Sequence, residues 1–219
     1  MKTYKTGSPS ATTAILVIGD IFGNGPQVLQ GADILADGGE KKYQVFVPDL
    51  LQGQYADHSW FPPDTTEKQE AMGAYFGGPA NPGTAAQAIA GTVNEIVEKS
   101  NGTITKWASL GLCWGGKVAA LVSGSGTPFS AVVSVHPAMV DAQDAESISI
   151  PFAMLASKDE DPAAVKKFVA TLKGEKYEET FSDMPHGWMA ARGDLSIPRV
   201  KAEYKRGYET TLDFFYKHL

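Results

Sequence analysis

The stretch Ser109-Leu110-Gly111-Leu112-Cys113-Trp114-Gly115-Gly116-Lys117 decides the fold of this chain. A strand-like apolar run, Trp107–Leu112, leads into it, and a helix-like segment continues from it to about Ser123. The pattern G-x-C-x-G-G at a strand-to-helix turn is the cysteine version of the nucleophile elbow, a cramped turn that presents one reactive side chain. A side chain at Gly111 or Gly115 would press on the neighbouring strand and helix, so this turn predicts close backbone packing.

Cys113 is the candidate nucleophile. At the start of a helix its sulfur lies beside the positive end of the helix dipole, which favours thiolate over thiol. The same helix start offers the backbone N–H of Trp114 to a developing oxyanion. A free cysteine taken alone is more often part of a core. A core cysteine, however, does not call for three flanking glycines at the end of a strand.

The same residues also resemble a phosphate-binding loop. Gly111 to Lys117 reads G-x-x-x-x-G-K, but the next position, where that motif needs Ser or Thr to bind magnesium, is Val118. The loop interior also holds Cys113 and Trp114, which are bulky where the backbone should wrap a phosphate. The nucleotide-binding interpretation is therefore disfavoured.

Composition bounds the class of protein. The chain has 219 residues, of which 43% are hydrophobic and 20% are charged, and a single cysteine. We interpret residues 1–219 as one globular domain. One thiol excludes an intramolecular disulfide and a Cys-rich metal cage, and the sequence predicts no metal and no cofactor.

The charge balance bounds the partners. A formal net charge of −6 disfavours phosphate polymers and anionic lipid surfaces, so we expect neither nucleic acid nor a membrane as a partner. No apolar run approaches the roughly 18 residues of a membrane span, and Ala14–Ile18 is too short for the core of a signal peptide. The interpretation is a cytoplasmic protein. The sequence leaves open whether it is a monomer or a homodimer.

Apolar runs of strand length alternate with helix-period segments along the whole chain. This alternation is typical of βαβ units and predicts an α/β fold with a mostly parallel central sheet flanked by helices. The predicted strands are Ala14–Ile18, Gln44–Val47, Trp107–Leu112, Ala131–Val135, Phe152–Ala156 and Tyr177–Phe181. The predicted helices are Ala85–Lys99 with a capping box from Thr84 and Gln87, the segment after Cys113, Pro162–Leu172 with Asp161 as N-cap, and a last one from about Arg199.

Residues 52–83 interrupt this alternation. The segment is rich in Gly, Pro and aromatic residues, and a long insertion in a compact domain is usually functional. We interpret it as a lid or pocket wall with a short helix around Glu67–Tyr75. The alternative is an ordered surface excursion.

A thiol nucleophile needs a base and an acid, which follow it in chain order in the α/β-hydrolase topology. Two aspartates compete after the strand Phe152–Ala156, and because Asp161 serves as a helix N-cap, Asp159 is the preferred acid. The preferred base is His186, which lies between Pro185 and a glycine in the loop before the last helix.

With these residues in view, the chain resembles the dienelactone hydrolase family of α/β-hydrolases, especially its fungal members. The motifs that show the resemblance are Gly19-Asp20-Ile21-Phe22-Gly23, Gly111-Leu112-Cys113-Trp114-Gly115-Gly116, Ser157-Lys158-Asp159 and His186-Gly187-Trp188-Met189-Ala190-Ala191-Arg192. The resemblance implies an α/β-hydrolase fold. It also implies a Cys113, Asp159, His186 triad that cleaves an ester or enol lactone through a thioester acyl-enzyme. The backbone N–H groups of Ile21 and Trp114 would hold the oxyanion.

The chain departs from the family at its substrate-binding positions. Asp20 stands where active members have a Glu that is thought to help activate the thiol. Lys68 stands where the family has a carboxylate-binding Arg, and Arg192 follows the histidine at a longer spacing. Because Lys clamps a carboxylate less well than Arg does, we expect a more apolar or bulkier substrate. Its predicted pocket residues are Phe22, Tyr55, Trp60, Trp188 and His136, the last at the end of the strand Ala131–Val135.

Other functions remain open at this stage. The same thiol and histidine could serve a non-hydrolytic tailoring enzyme, either an isomerase, a lyase or a cyclase. A binding protein on the same fold would be favoured by a missing triad member, and none is missing. A redox-sensor role for Cys113 is weakened because the chain has no resolving cysteine.

Overall fold

A computed structural model describes all 219 residues. Its centre is one seven-stranded sheet. The strands are β1 (Thr3–Thr6), β2 (Thr13–Ile18), β3 (Gln44–Pro48), β4 (Lys106–Leu112), β5 (Ala131–Val135), β6 (Phe152–Ser157) and β7 (Lys176–Phe181). They lie in the order β1-β3-β2-β4-β5-β6-β7. Only the pair β1 and β3 is antiparallel.

Helices cover both faces of the sheet. They are α1 (Pro26–Asp37), α2 (Thr66–Gly77), α3 (Pro82–Lys99), α4 (Trp114–Leu121), α5 (Ala142–Ala145), α6 (Pro162–Thr171) and α7 (Pro198–His218), with one 3₁₀ turn at His58–Trp60. Neighbouring residues of β2 explain the two layers: Leu16 packs in one buried cluster with residues of α3, α4 and α6, whereas Ile15 and Val17 pack in the other with α1 and α7. Strands buried on both faces read as continuous apolar runs, as predicted. No helix combines the length and apolar character needed to cross a membrane.

The structure confirms the predicted α/β class and all six predicted strands, and it adds elements that the sequence did not reveal. β1 was missed because its four residues are half exposed and not apolar. α1 was not predicted either. The capping box expected at Thr84 and Gln87 is wrong, because α3 begins three residues earlier and Asn81 Oδ1 accepts the N–H of Thr84.

The order of the strands fixes where a site can form. From β2 the chain moves to β3 on one side and to β4 on the other, so the crossover direction reverses between β2 and β4. In open α/β sheets, ligands bind outside the carboxyl ends of the strands at such a reversal. The loop after β2 holds Asp20 and Ile21, and the loop after β4 holds Cys113.

Candidate active site

Cys113 occupies a strained turn between β4 and α4. Its φ is +56°, in the left-handed region that residues with a side chain seldom adopt. Three backbone hydrogen bonds hold it there: its N–H donates to Val135 O (3.1 Å), and its C=O accepts from Gly116 (2.9 Å) and Ala138 (3.0 Å). Strain of this kind persists only where the surroundings fix it, which is common at catalytic turns.

The glycines that flank Cys113 let neighbouring backbone segments come into direct contact. A Cβ on Gly111 would lie 2.2 Å from Gly115 O, and one on Gly115 would lie 2.1 Å from Ile18 O. A Cβ on Gly116 would lie 2.5 Å from Ser134 Oγ. The close packing predicted for the first two positions is confirmed. It brings the N-terminus of α4 against the end of β2.

His186 lies in the loop after β7, and its ring is held by a buried carboxylate. Nδ1 of His186 lies 2.7 Å from Oε1 of Glu160. The Glu160 side chain is only 4% exposed and also accepts from the backbone N–H and the hydroxyl of Ser157 at the end of β6. An acid fixed in this way sets the orientation and the tautomer of an imidazole.

The acid predicted from the sequence, Asp159, is therefore corrected to its neighbour. Asp159 is exposed, and its Oδ2 accepts the backbone N–H of His186 at 2.8 Å rather than contacting the ring. The turn after β6 points one side chain outward and the next one inward. Asp161 caps α6 as expected, by accepting from Ala163 N. The sequence signal for Glu160 is the run of three consecutive acids Asp159-Glu160-Asp161, in which the prediction considered only the two aspartates.

The environment of His186 favours the imidazolium. Burial lowers the pKa of His186, but the hydrogen bonds and negative charges of Cys113 and Glu160 outweigh it and raise that pKa to about 10. Cys113 itself is 8% exposed.

Beside the Cys113 turn, the backbone N–H groups of Ile21 and Trp114 have no acceptor within the chain. Trp114 is the first residue of α4, where an N–H has no helical partner. Ile21 follows β2 and belongs to the turn that packs against the elbow. These are the two donors expected for the oxyanion.

Asp20 is buried and bonded to backbone on two sides. Its Oδ1 accepts from Phe22 N at 2.8 Å, and its Oδ2 accepts from Ala191 N at 3.0 Å. Burial raises the pKa of Asp20, and the two N–H groups partly offset this effect. Asp20 therefore joins the loop after β2 to the loop that follows His186.

The remaining predicted pocket residues divide into two groups. Phe22 and Trp60 are partly buried, with Phe22 stacked on His58 at 4.2 Å, and Tyr55 is 43% exposed. The amine of Lys68 is already engaged, because its Nζ contacts Asp64 Oδ1 at 2.8 Å and Pro62 O at 3.2 Å. The interpretation of Lys68 as a counterpart of the carboxylate-binding Arg is not supported by this geometry.

Arg192 is exposed, and its aliphatic stem packs beside Gly187, next to His186.

His136 and Trp188 are both 0% exposed and so do not line an open pocket as predicted. The His136 ring lies 5.2 Å from that of His186 and 5.1 Å from that of Trp188. Burial and the nearby His186 hold the pKa of His136 well below its usual range. His136 is thus a neutral ring packed beneath His186.

The reversal in strand order, together with the strained turn after β4, defines an α/β-hydrolase fold. The solved dienelactone hydrolase from Anabaena variabilis has this fold: it matches with a TM-score of 0.71 over 99% of this chain and 91% of that one, at 15% identity. The chain belongs to the dienelactone hydrolase family, whose model matches residues 1–219.

Relatives of the whole chain agree with this assignment. An uncharacterised AIM2 family protein of Schizosaccharomyces pombe is 37% identical over 98% of this chain and 86% of its own length. A carboxymethylenebutenolidase homologue of Homo sapiens is 25% identical over 100% of this chain and 88% of its own. The family supports an ester or lactone hydrolase acting on a small molecule.

Proposed function

We propose that this chain is a cysteine-dependent hydrolase of activated esters or enol lactones. Cys113 is the nucleophile, His186 the acid and base, and Glu160 the group that orients His186. The observation on which the proposal rests is the contact of 2.7 Å between Nδ1 of His186 and Oε1 of the buried Glu160, at the sheet edge where the strained turn presents Cys113. The raised pKa of His186, about 10, agrees with it. A histidine set between a buried carboxylate and a thiol is the arrangement that activates a sulfur nucleophile.

Acylation begins with the thiolate. Sγ of Cys113 attacks the carbonyl carbon, a C–S bond forms, and the π electron pair moves onto the oxygen, where the N–H groups of Ile21 and Trp114 stabilise it. When the intermediate collapses, the C–O bond to the leaving group breaks. The imidazolium of His186 gives its proton to the leaving oxygen, which in a lactone remains attached to the acyl group.

Deacylation uses the same histidine in the opposite sense. Neutral His186 takes a proton from water, and the hydroxide attacks the thioester carbon. The C–S bond breaks, the acid is released, and Cys113 returns to the thiolate beside the imidazolium. Acylation removes the negative charge of sulfur, so the pKa of His186 falls once the thioester has formed, which suits it to act as a base.

The surroundings favour activated and largely apolar substrates. A thiolate is a good leaving group, so the first intermediate goes forward only when the departing oxygen is also stabilised, as in an enol or a phenol. Phe22, His58 and Phe61 form an aromatic group beside the loop after β2. Arg192 is the cation placed near His186 for a substrate carboxylate, since Lys68 is held by Asp64.

The test is a panel of p-nitrophenyl esters and enol lactones hydrolysed by wild type, Cys113→Ala and Glu160→Gln, each checked for folding by circular dichroism. Loss of turnover with Cys113→Ala and covalent trapping of an acyl group on Cys113, seen by mass spectrometry, are expected. Full turnover by Cys113→Ala would overturn the proposal. Incubation in ¹⁸O-labelled water separates hydrolysis, which places the label in the released acid, from isomerisation or ring closure, which does not.

A further inference from the structure

The peptide that joins Ile21 to Phe22 is hydrogen-bonded at both ends. Its N–H donates to Asp20 Oδ1 at 2.8 Å. Its C=O accepts from Ala56 N at 2.9 Å and from the Tyr75 hydroxyl at 3.3 Å. The same hydroxyl lies 2.9 Å from Gln54 O, so its single proton is shared between two carbonyls. This peptide plane is therefore fixed from opposite sides.

The preceding peptide, which bears the Ile21 N–H, is held less tightly. Its own carbonyl, Asp20 O, accepts only a long hydrogen bond of 3.4 Å from Gly23 N. The two peptide planes meet at the Ile21 Cα, and because each plane is rigid they can turn only about the bonds to that atom. Holding the following plane in place therefore limits the directions in which the Ile21 N–H can point. Asp20, Ala56 and Tyr75 supply that hold.

Residues 52–83 also reach the second oxyanion donor. The indole Nε1 of Trp114 donates to Ala80 O at 2.8 Å in a buried contact. Ala56 and Tyr75 are each 6% exposed and Ala80 is 0% exposed, so all three contacts lie in the core rather than on a free surface. One segment thus contacts both Ile21 and Trp114, the two candidate donors to the oxyanion.

We propose that residues 52–83 form a brace for the oxyanion hole, in which Tyr75 is a positioning residue that aims the Ile21 N–H. This inference rests on the proposed function, because it presumes that an oxyanion forms beside Cys113. The segment, interpreted from sequence as a lid or pocket wall, is then a fixed part of the catalytic framework. Asp20 has the matching role on the other side of the peptide, as a buried carboxylate whose two oxygens accept from the backbone N–H groups of Phe22 and Ala191.

The test compares Tyr75→Phe, which removes only the hydroxyl, with Tyr216→Phe, which removes an exposed hydroxyl on α7. Three rates or affinities are measured: hydrolysis of p-nitrophenyl butyrate, binding of butyraldehyde, and alkylation of Cys113 by iodoacetamide. Butyraldehyde gains a C–S bond while its carbonyl electron pair moves onto oxygen, which takes a proton, so the adduct needs the oxyanion site. Alkylation displaces iodide and develops no oxyanion.

In Tyr75→Phe we expect kcat to fall about 10-fold or more with KM nearly unchanged, because loss of a whole oxyanion donor costs about 10²-fold to 10³-fold. Butyraldehyde should bind more weakly by a similar factor, and the alkylation rate should equal that of wild type. Tyr216→Phe should match wild type in all three. Unchanged kcat and aldehyde affinity would overturn the inference, as would an alkylation rate that falls together with kcat, since that shows general disorder of the site.

A second variant guards against misfolding of the first. Asp20→Asn keeps one oxygen for the Phe22 N–H but loses the second carboxylate oxygen that Ala191 uses, and it should show the same split between kcat and alkylation. If Cys113→Ala hydrolyses the ester as fast as wild type, the proposed function itself fails. If Cys113→Ala is inactive while Tyr75→Phe and Asp20→Asn keep full kcat, only the brace fails.

Discussion

Oε1 of Glu160 lies 2.7 Å from Nδ1 of His186, while the adjacent Asp159 accepts the backbone N–H of that same histidine at 2.8 Å. Two consecutive acids thus divide the work of holding one residue: one fixes the ring and the other fixes the loop. Because only the Glu160 carboxylate is buried, only its charge acts on the imidazole at short range with little screening. The two roles can be separated by substitution.

Glu160→Gln should lower kcat by about 100-fold or more, because an amide cannot stabilise the imidazolium and favours the wrong tautomer. Asp159→Asn should stay within about threefold of wild type, since the amide oxygen still accepts the backbone N–H and the site is exposed. Steady-state hydrolysis of one activated ester measures both. A larger loss for Asp159→Asn than for Glu160→Gln would restore the assignment made from sequence.

The raised pKa of His186 also predicts how stability depends on pH. The folded-state pKa is about 10, against 6.5 for a free histidine, so the folded chain keeps a proton that the unfolded chain releases in this range. The stabilisation is fully present below pH 6.5 and is lost as pH rises through about 10. Urea unfolding of wild type and His186→Gln should show a free-energy difference that shrinks between these limits.

Glu160→Gln removes one cause of the raised pKa and serves as the control for that experiment. In this variant the pKa of His186 should move down, so the stabilisation should be smaller and should be fully lost at a lower pH than in wild type. An NMR titration of the His186 ring measures the shift directly. A difference between wild type and His186→Gln that stays constant across the range would contradict the assignment of the imidazolium.

The elbow glycines predict a strong contrast between two glycine-to-alanine substitutions. Gly115→Ala places a Cβ 2.1 Å from a backbone oxygen at the end of β2. We expect a cost of about 3 kcal/mol or more in the free energy of unfolding, because backbone must move. Gly91→Ala, in α3 with nothing within 4 Å of the new atom, should be stabilising by about 0.5–1 kcal/mol. Denaturant unfolding measures both, and equal effects would show that the elbow relaxes freely.

Much of the site was predictable because its chemistry is local in sequence. The glycines around Cys113 mark one turn, and Pro185 and Gly187 mark another, so the candidate nucleophile and the candidate base could be named without a structure. Glu160 could not be chosen over Asp159, because the direction of each side chain depends on the path of the loop after β6. The burial of His136 could not be predicted either. His136 follows the carboxyl end of β5, at the sheet edge where the site lies, but packing against Trp188 closes it off from solvent. The Tyr75 contact with Ile21 spans 54 positions and has no local pattern.

Arg192 and Lys68 differ in whether the charged group is available to bind a substrate. Arg192 is exposed, whereas Lys68 is already engaged within the chain. Lys68 contacts Asp64 and the Pro62 carbonyl, so Lys68→Ala should leave KM unchanged for substrates with and without a carboxylate. Arg192→Ala should raise KM about 10-fold for an enol lactone that bears a carboxylate, because guanidinium binds carboxylate through paired hydrogen bonds. A neutral lactone of similar size should be unaffected. Selective loss of the carboxylated substrate in Lys68→Ala would mean that Lys68 leaves Asp64 and turns toward the site when substrate binds.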